Sequence, residues 1–309
     1  MENRNLVQGS TLIKQMSENP QVNVPAHSAA AEEGWTSVIT PHRGWFDWRL
    51  RQLWRYRDLI SLFVWRDFVS VYKQTILGPL WHIIQPLLTT VVFTVFFGKI
   101  GKLSTDGVPG FLFYLAGNVT WSYFATNITK VSNTFVTNAT LLGKVYFHRL
   151  VIPISIAFSN LISFFIQFGL FLGFLAFYYF EGAPVHLTYW ALWTPLFLLM
   201  LAGYSLGSGI IVAALTTRYR DLTQLVTFGI QLLMFATPVI LPLSAAGKYK
   251  WVLQMNPLTP IVEGFRLGFL GVGEVTATQI GISFGIMLAV LAVGMMLFTH
   301  VEKTFMDTV

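Results

Sequence analysis

Few residues of this chain belong to types that carry out covalent chemistry. Its 309 residues include no cysteine, which excludes disulfides, thiol catalysis and cysteine-based zinc sites. The zinc-protease pattern HExxH is absent. The Gly-Lys pairs that begin at positions 98, 101, 143 and 247 all lack the glycine five residues earlier that a P-loop requires. We therefore expect no catalytic centre, no metal site and no cofactor in this chain.

Polar side chains do occur within its long apolar runs. His82 and Gln85 lie just after Trp81, at the start of the first run. Polar groups at such depth usually face protein or water rather than lipid. They either line a pathway or hydrogen-bond to neighbouring helices, and the sequence leaves both possibilities open. Further along, Glu263 and Arg266 have the i,i+3 spacing that lets two side chains pair on one helix.

The composition indicates an all-α integral membrane protein. The chain is 54% hydrophobic and 11% charged, whereas a soluble domain has roughly 25% charged residues. About 20 helical residues cross a bilayer. Six apolar runs are long enough to be transmembrane helices, at about residues 77–98, 109–132, 150–180, 187–215, 223–246 and 276–299. None of these spans contains an Asp or Glu, which disfavours a proton-coupled transporter with a carboxylate relay.

The lysines and arginines predict the orientation. With six spans, all but five of the 20 basic residues fall on the side that holds both termini. Basic loops stay in the cytoplasm, so both termini should be cytoplasmic. Residues 1–40 are polar, without the apolar core of a signal peptide, and we expect a flexible cytoplasmic arm followed by a membrane domain over residues 41–309. The five exceptions are Lys99, Lys102, Lys248, Lys250 and Arg266.

A charged amphipathic stretch precedes the first span. Each of its charges would cost about 2.5–3.5 kcal/mol at the bilayer centre, whereas each apolar residue contributes only about −0.5 kcal/mol. We therefore expect a helix over residues 57–73 that lies in the cytoplasmic interface, or alternatively packs on a soluble partner. Gly78-Pro79 should then turn the chain into the first span, because Gly tolerates unusual dihedrals and Pro suits a first helical turn.

Two short cytoplasmic segments are charged. LLGKVYFHRL (141–150) separates spans two and three, and TTRYRDLTQLV (216–226) separates spans four and five. They would either dock a soluble partner or only reflect the positive-inside topology.

The segment between the last two spans is apolar but broken by Asn256, Pro257 and Pro260. It predicts two short re-entrant or interfacial helices on the outer side. Glycine pairs at GxxxG spacing, which favour close helix packing, occur at Gly169/Gly173, Gly203/Gly207 and Gly281/Gly285.

Aromatic residues are concentrated in the second span. Aromatic rings stack on sugar rings, so they would suit a passage for a glycan, although such residues more often face lipid or pack between helices. With the polar residues of the first span, the candidate pathway-lining residues are His82, Gln85, Tyr114, Trp121, Tyr123 and Phe124.

Two stretches resemble one known family. RDFVSVYKQTILGPLWHIIQPL (66–87) and NPLTPIVEGFR (256–266) resemble the type-2 ABC export permeases that move polysaccharides such as O-antigen, capsule and teichoic acid. The resemblance covers roughly residues 45–305 and does not extend to the first 34–40 residues. It implies a homodimer in the bacterial inner membrane, bound to two copies of an ATP-binding subunit that holds the ATP and magnesium. It also implies an undecaprenyl-linked polysaccharide substrate, contact with membrane lipids and no nucleic-acid partner.

The resemblance also suggests roles for individual residues. The resemblance implies that the amphipathic segment forms an interface helix over about residues 45–74. This helix would meet a lipid diphosphate, because arginine binds phosphate oxygens with two donors; the candidates are Arg55, Arg57, Arg66 and Lys73. The cytoplasmic segments at about 138–148 and 216–226 would couple to the ATPase through Lys144, Arg149, Arg218, Tyr219, Arg220 and Asp221. The outer helices at 250–272 would form a gate that contains Asn256, Pro257, Pro260, Glu263 and Arg266.

Three other functions remain open at this point. A type-2 ABC exporter of a drug or small lipid would share the six spans. A membrane-embedded glycan-transferring enzyme would need acidic or histidine groups that converge, and only His82 and His148 lie near the membrane on the predicted inner side. A scaffold protein is the third.

Overall fold

The computed structural model of the chain describes residues 53–73, 77–142, 144–145, 147–216 and 222–305, and all regular structure in these ranges is helical. The α-helices are α1 (Arg57–Lys73), α2 (Trp81–Phe93), α3 (Gly110–Ser132), α4 (Thr134–Thr137), α5 (Ala139–Leu142), α6 (Val151–Phe180), α7 (Thr194–Thr216), α8 (Leu222–Phe235), α9 (Lys250–Met255), α10 (Thr259–Leu270) and α11 (Ala277–Phe305). A π-helical stretch, Thr94–Ile100, extends α2, and 3₁₀ turns occur at Trp54–Tyr56, Gly78–Leu80, Tyr189–Trp193 and Leu243–Tyr249. The predicted arm at 1–40 lies outside the described residues.

Helix α1 and the turn after it follow the prediction over their described part. The apolar face of α1 packs on the start of α6, with the Phe63 ring 5.8 Å from that of Phe147. Gly78 turns the chain with a φ of 44°, a conformation that glycine adopts easily. Trp81 then begins α2. We call the end of the bundle that holds α1 the inner end, and the end that holds α9 and α10 the outer end.

Four helical segments are long and apolar enough to cross a membrane. They are Trp81–Ile100, Val151–Phe180, Tyr189–Thr216 and Ala277–Phe298, which correspond to the first, third, fourth and sixth predicted spans. This confirms a helical membrane protein, while six crossings stay a prediction. The two remaining segments depart from the simple pattern for different reasons.

Helix α3, the second predicted span, has 23 residues but carries many polar side chains. It can do so because it forms the centre of the bundle and packs against α2, α6, α7, α8 and α10. Most of its residues are buried, so few of them would meet lipid.

Helix α8 is shorter than the fifth predicted span. It has 14 residues and ends at Phe235. Pro238 and Pro242 follow within seven residues, and neither can donate a backbone hydrogen bond to continue a helix. The chain then turns and enters the 3₁₀ segment Leu243–Tyr249.

Small residues allow α7 and α11 to approach closely. A Cβ on Gly207 would lie 2.8 Å from the backbone nitrogen of Leu291, and one on Gly294 would lie 2.7 Å from the carbonyl oxygen of Gly207. The GxxxG pair Gly203/Gly207 therefore packs against another helix of the same chain. By contrast, nothing in the described chain lies within 4 Å of a Cβ at Gly173.

This difference gives a test of the helix packing. We expect Gly207→Val to destabilise the protein by about 1–3 kcal/mol, because the valine would force α7 and α11 apart. Gly173→Val is the matched control and should change the stability by no more than about 0.5 kcal/mol. The midpoint of thermal unfolding in detergent measures both, and equal midpoints for the two variants would contradict the packing.

Candidate functional site

A polar groove lies between α2, α3 and α6. Its cavity has a volume of about 160 Å³. Aromatic and small apolar residues complete a lining that is otherwise made of hydroxyl, amide, imidazole and amino groups: Trp81, His82, Gln85, Pro86, Thr89, Asn118, Ser122, Tyr123, Thr126, Lys130, Asn160, Ser163, Phe164 and Gln167.

The groove arises from polar residues at helical spacing. In α3, Ser122, Thr126 and Lys130 recur every four residues and thus lie on one face. In α6, Asn160, Ser163 and Gln167 recur at intervals of three and four residues. These stripes are visible in the sequence as polar residues at helical spacing, but the candidate pathway residues named from the sequence did not include them.

Hydrogen bonds connect the inner half of the groove. The amino group of Lys130 donates to the side-chain oxygen of Asn160 over 2.8 Å. The amide of Asn160 in turn donates to the side-chain oxygen of Asn127 over 2.7 Å. Nearer the middle of the bundle, the amide of Asn118 donates to the carbonyl of Pro86 over 3.2 Å. The amides thus join the three helices and hold Lys130 in place.

The structure brings three of the six predicted pathway residues together in the groove: His82, Gln85 and Tyr123. The other three lie in the packed core, with Tyr114 fully buried and Trp121 and Phe124 almost so. Within this single chain they contact other core residues and do not line the groove. A role in transport stays a prediction for all six.

At the inner end, the predicted head-group residues are exposed. Arg55, Arg57, Arg66 and Lys73 all lie on the surface of the chain. Arg66 donates two hydrogen bonds, of 2.9 and 2.7 Å, to its neighbour Asp67. The same surface exposes Trp54, Leu62 and Trp65, which are side chains typical of a membrane interface.

The predicted ATPase-coupling residues are only partly described. Lys144 is exposed and follows the short helices α4 and α5, whereas Arg149 is half-buried beside the start of α6. Arg218, Tyr219, Arg220 and Asp221 lie outside the described residues, so their role stays a prediction.

At the outer end, Arg266 holds the broken end of α8. Its guanidinium donates to the carbonyl of Pro238 and, over 2.5 Å, to that of Val239. The same group lies 3.6 Å from the centroid of the Phe113 ring, and only 1% of its side chain is exposed. Gly117 makes the room, since a Cβ there would be 2.5 Å from the guanidinium. We call this contact between α10 and the end of α8 the outer clamp.

Glu263 and Asn256 complete the outer clamp. One carboxylate oxygen of Glu263 lies 3.6 Å from the guanidinium of Arg266, and the other accepts the backbone N–H of Glu274 over 3.1 Å. Asn256 donates to the carbonyl of Ala236 over 2.9 Å. The side-chain oxygen of Asn256 also accepts the backbone N–H of Leu258 over 3.0 Å, which forms the turn between α9 and α10.

The outer clamp contains the i,i+3 contact of Glu263 with Arg266 that the spacing predicts, and it adds a feature that the sequence did not reveal. Two short helices, α9 and α10, lie in this segment, while their re-entrant or interfacial position stays a prediction. Pro260 lies in the first turn of α10, and the carbonyl of Pro257 accepts a bond from Ser283 over 2.6 Å. The sequence did not predict the hydrogen-bond partners of Arg266, because nothing near residue 266 in the sequence indicates Pro238 and Val239.

One protein family matches most of the helical bundle. This family, described as "ABC-2 type transporter", matches residues 58–270, from α1 to the end of α10. The chain belongs to this family. The matched part of this ABC-2 transporter includes the groove and the outer clamp. Membership places the chain among membrane transport proteins rather than enzymes.

Curated relatives of this ABC-2 transporter share most of its length. Two proteins from Klebsiella pneumoniae, each named O-antigen export system permease protein RfbA, are 26% identical over 252 residues, which cover 81% of this chain and 94% of the relative. A protein of the same name from Myxococcus xanthus is 28% identical over 223 residues, which cover 71% of this chain and 83% of the relative.

The outer clamp predicts a large loss of stability on mutation. Arg266→Gln should cost about 3–5 kcal/mol, because it leaves the carboxylate of Glu263 and two carbonyls buried without a cationic partner. The matched control is Lys250→Gln, which removes the exposed ion pair of Lys250 with Glu274 and should cost at most about 1 kcal/mol. Thermal unfolding followed by tryptophan fluorescence compares them, and a shift for Arg266→Gln as small as the control would contradict the clamp.

Proposed function

We propose that this chain is the transmembrane subunit of an ATP-driven exporter that moves a lipid-linked polysaccharide across the bacterial inner membrane. One observation carries the proposal. The likeness to permeases named for O-antigen export extends over 94% of the length of the Klebsiella proteins, within a family of ABC transporters. A likeness over nearly the whole relative supports a shared role and not only a shared fragment.

The energy would come from a separate subunit. The chain contains no P-loop, so ATP and magnesium would be held by two copies of an ATP-binding partner. We propose that the partner docks at the inner end, against Lys144, Arg149 and the segment 216–226. The exposed position of Lys144 next to two short helices supports this placement.

The lipid-linked substrate would approach from the cytoplasmic side. The exposed residues Arg55, Arg57, Arg66 and Lys73 form a cationic surface at the inner end, where they would meet its diphosphate. Both termini would be cytoplasmic, as the distribution of basic residues indicates. A homodimer would complete the passage, since a single chain has a groove of only about 160 Å³, which is too narrow for a glycan chain.

The outer clamp would make one part of the outer gate rigid. Helices α9 and α10, over residues 250–270, lie at the end of the bundle opposite α1. Because Arg266 and Asn256 join them to the end of α8, these elements would move together when the gate opens.

The function is tested in the organism that encodes the chain. Deletion of its gene should abolish long-chain polysaccharide at the cell surface and lead to its accumulation inside the cell. The wild-type chain, expressed with its ATP-binding partner subunit, should restore surface polysaccharide. The same pair with an ATPase-inactive subunit is the matched control and should not restore it.

Two outcomes would contradict the proposal. Normal surface polysaccharide in the deletion strain would show that another protein exports it. Restoration by the chain with the inactive subunit would show that export does not require ATP hydrolysis by the partner. Altered drug tolerance with normal polysaccharide would favour the exporter of a drug or small lipid instead.

A further inference from the structure

We propose that the polar groove between α2, α3 and α6 is a binding site within the membrane for the phosphate of an anionic lipid headgroup, with Lys130 as its cationic centre. The site is distinct from the exposed arginines of α1. It deepens the proposed function if the lipid is the substrate carrier, but the binding itself does not rest on export.

The position of the Lys130 amino group is the first observation. Helical side chains point towards the N terminus of their helix, which for α3 is the outer end. Lys130 follows this direction and donates to Asn160, over 2.8 Å. Asn160 is nine residues beyond Val151, or about 14 Å along α6 from its start. The amino group therefore points into the membrane instead of extending out to the inner interface.

The charge balance of the groove is the second observation. Among the described residues that line the groove, Lys130 is the only lysine or arginine, and none is an Asp or Glu. The one direct partner of the amino group in the groove is the neutral oxygen of Asn160. Asp67 of α1 interacts with Lys130 electrostatically, but it is already bonded to Arg66. A positive charge inside a membrane is unfavourable, and an anionic ligand would offset that cost.

Neutral donors around Lys130 would complete a phosphate site. Ser122, Thr126 and Ser163 present hydroxyl groups to the same cavity, and Gln85 presents an amide. Phosphate oxygens accept hydrogen bonds from hydroxyl, amide and ammonium groups alike. Cavities of about 150 Å³ hold a molecule the size of benzene. A phosphate group has fewer heavy atoms, so it fits the 160 Å³ of the groove.

The opening of the groove points to a lipid rather than to a free anion. Trp81, Gln85, Leu88 and Val92 are spaced by three and four residues and form one exposed stripe along α2. The stripe is aromatic and polar at the inner end, beside the groove, and aliphatic further along. An amphiphile has the same order of groups, with a polar head at the interface and apolar chains deeper in the bilayer.

Binding is tested on the full chain in phosphatidylcholine nanodiscs, with undecaprenyl diphosphate and phosphatidylglycerol as probes and undecaprenol as the neutral control. We expect both phosphate lipids to bind and undecaprenol to bind at least tenfold more weakly. Lys130→Gln should weaken binding of the phosphate lipids about tenfold or more, because a charge-assisted hydrogen bond is lost. Lys130→Arg, which keeps the charge, should restore it.

Lys99→Gln is the matched control. It removes one exposed lysine at the outer end of the helix that forms one wall of the groove, and it should leave binding unchanged. Equal weakening by Lys99→Gln and Lys130→Gln would overturn the proposal. Equal binding of undecaprenol and undecaprenyl diphosphate by the wild-type chain would also overturn it, whether or not the Lys130 variants fold.

Two further measurements distinguish lipid binding at Lys130 from the binding of free anions and from polysaccharide export. Full competition by inorganic diphosphate, at the concentration at which the lipids bind, would show a site for free anions and overturn the assignment to a lipid. Unchanged lipid binding in Lys130→Gln, together with normal polysaccharide export by the wild type, would overturn this inference and leave the proposed function standing. Selective, Lys130-dependent binding would support the site even if the chain exported no polysaccharide.

Discussion

The outer half of the bundle depends on how the backbone groups at the end of α8 are satisfied. Lipid offers no hydrogen bonds, so a helix that stops inside a membrane must find partners within the protein. Here Arg266 donates to the carbonyls of Pro238 and Val239, and Asn256 donates to that of Ala236. The end of α8 is therefore held by α9 and α10, and these two short helices are held in turn by the end of α8.

The same constraint explains the unusual composition of α3. A helix at the centre of a bundle need not be apolar, because its neighbours rather than lipid surround it. Its outer half accommodates the guanidinium of Arg266 beside Gly117 and Phe113. Its inner half carries Ser122, Thr126 and Lys130 into the groove. One helix thus supplies both a structural polar contact, which is closed to ligands, and a polar cavity with room for one.

These features give the inner end, the middle and the outer end of the chain different roles in a transporter. The chain contains no P-loop pattern, and membership of the ABC-2 family implies an ATP-binding partner. Its inner end carries charged helices and turns, its middle holds a polar groove, and its outer end is stabilised by a buried ion pair. Such an arrangement suits a subunit that transmits movement from one side of the membrane to the other.

Much of the fold could be predicted from residue patterns, because long apolar runs, the Gly78-Pro79 turn and the Asn256 turn depend on local chemistry. The i,i+3 pair of Glu263 and Arg266 is local as well. The contact of Arg266 with Pro238 and Val239 joins segments 27 and 28 residues apart and could not be deduced from spacing. The groove could be predicted only in part. The polar residues of each helix can be recognised from their spacing in the sequence, but only the packing of α2, α3 and α6 shows that they face one another.

The prediction that most needs a test is that α8, with only 14 residues, completes a crossing of the membrane while the outer clamp holds its end. The absence of native cysteine allows single cysteines to be labelled without background. Val145 and Lys248 are both exposed and are separated by α6, α7 and α8. In intact spheroplasts, a membrane-impermeant maleimide should label Lys248→Cys but should label Val145→Cys only after permeabilisation. Labelling of both cysteines from the same side would contradict the claim.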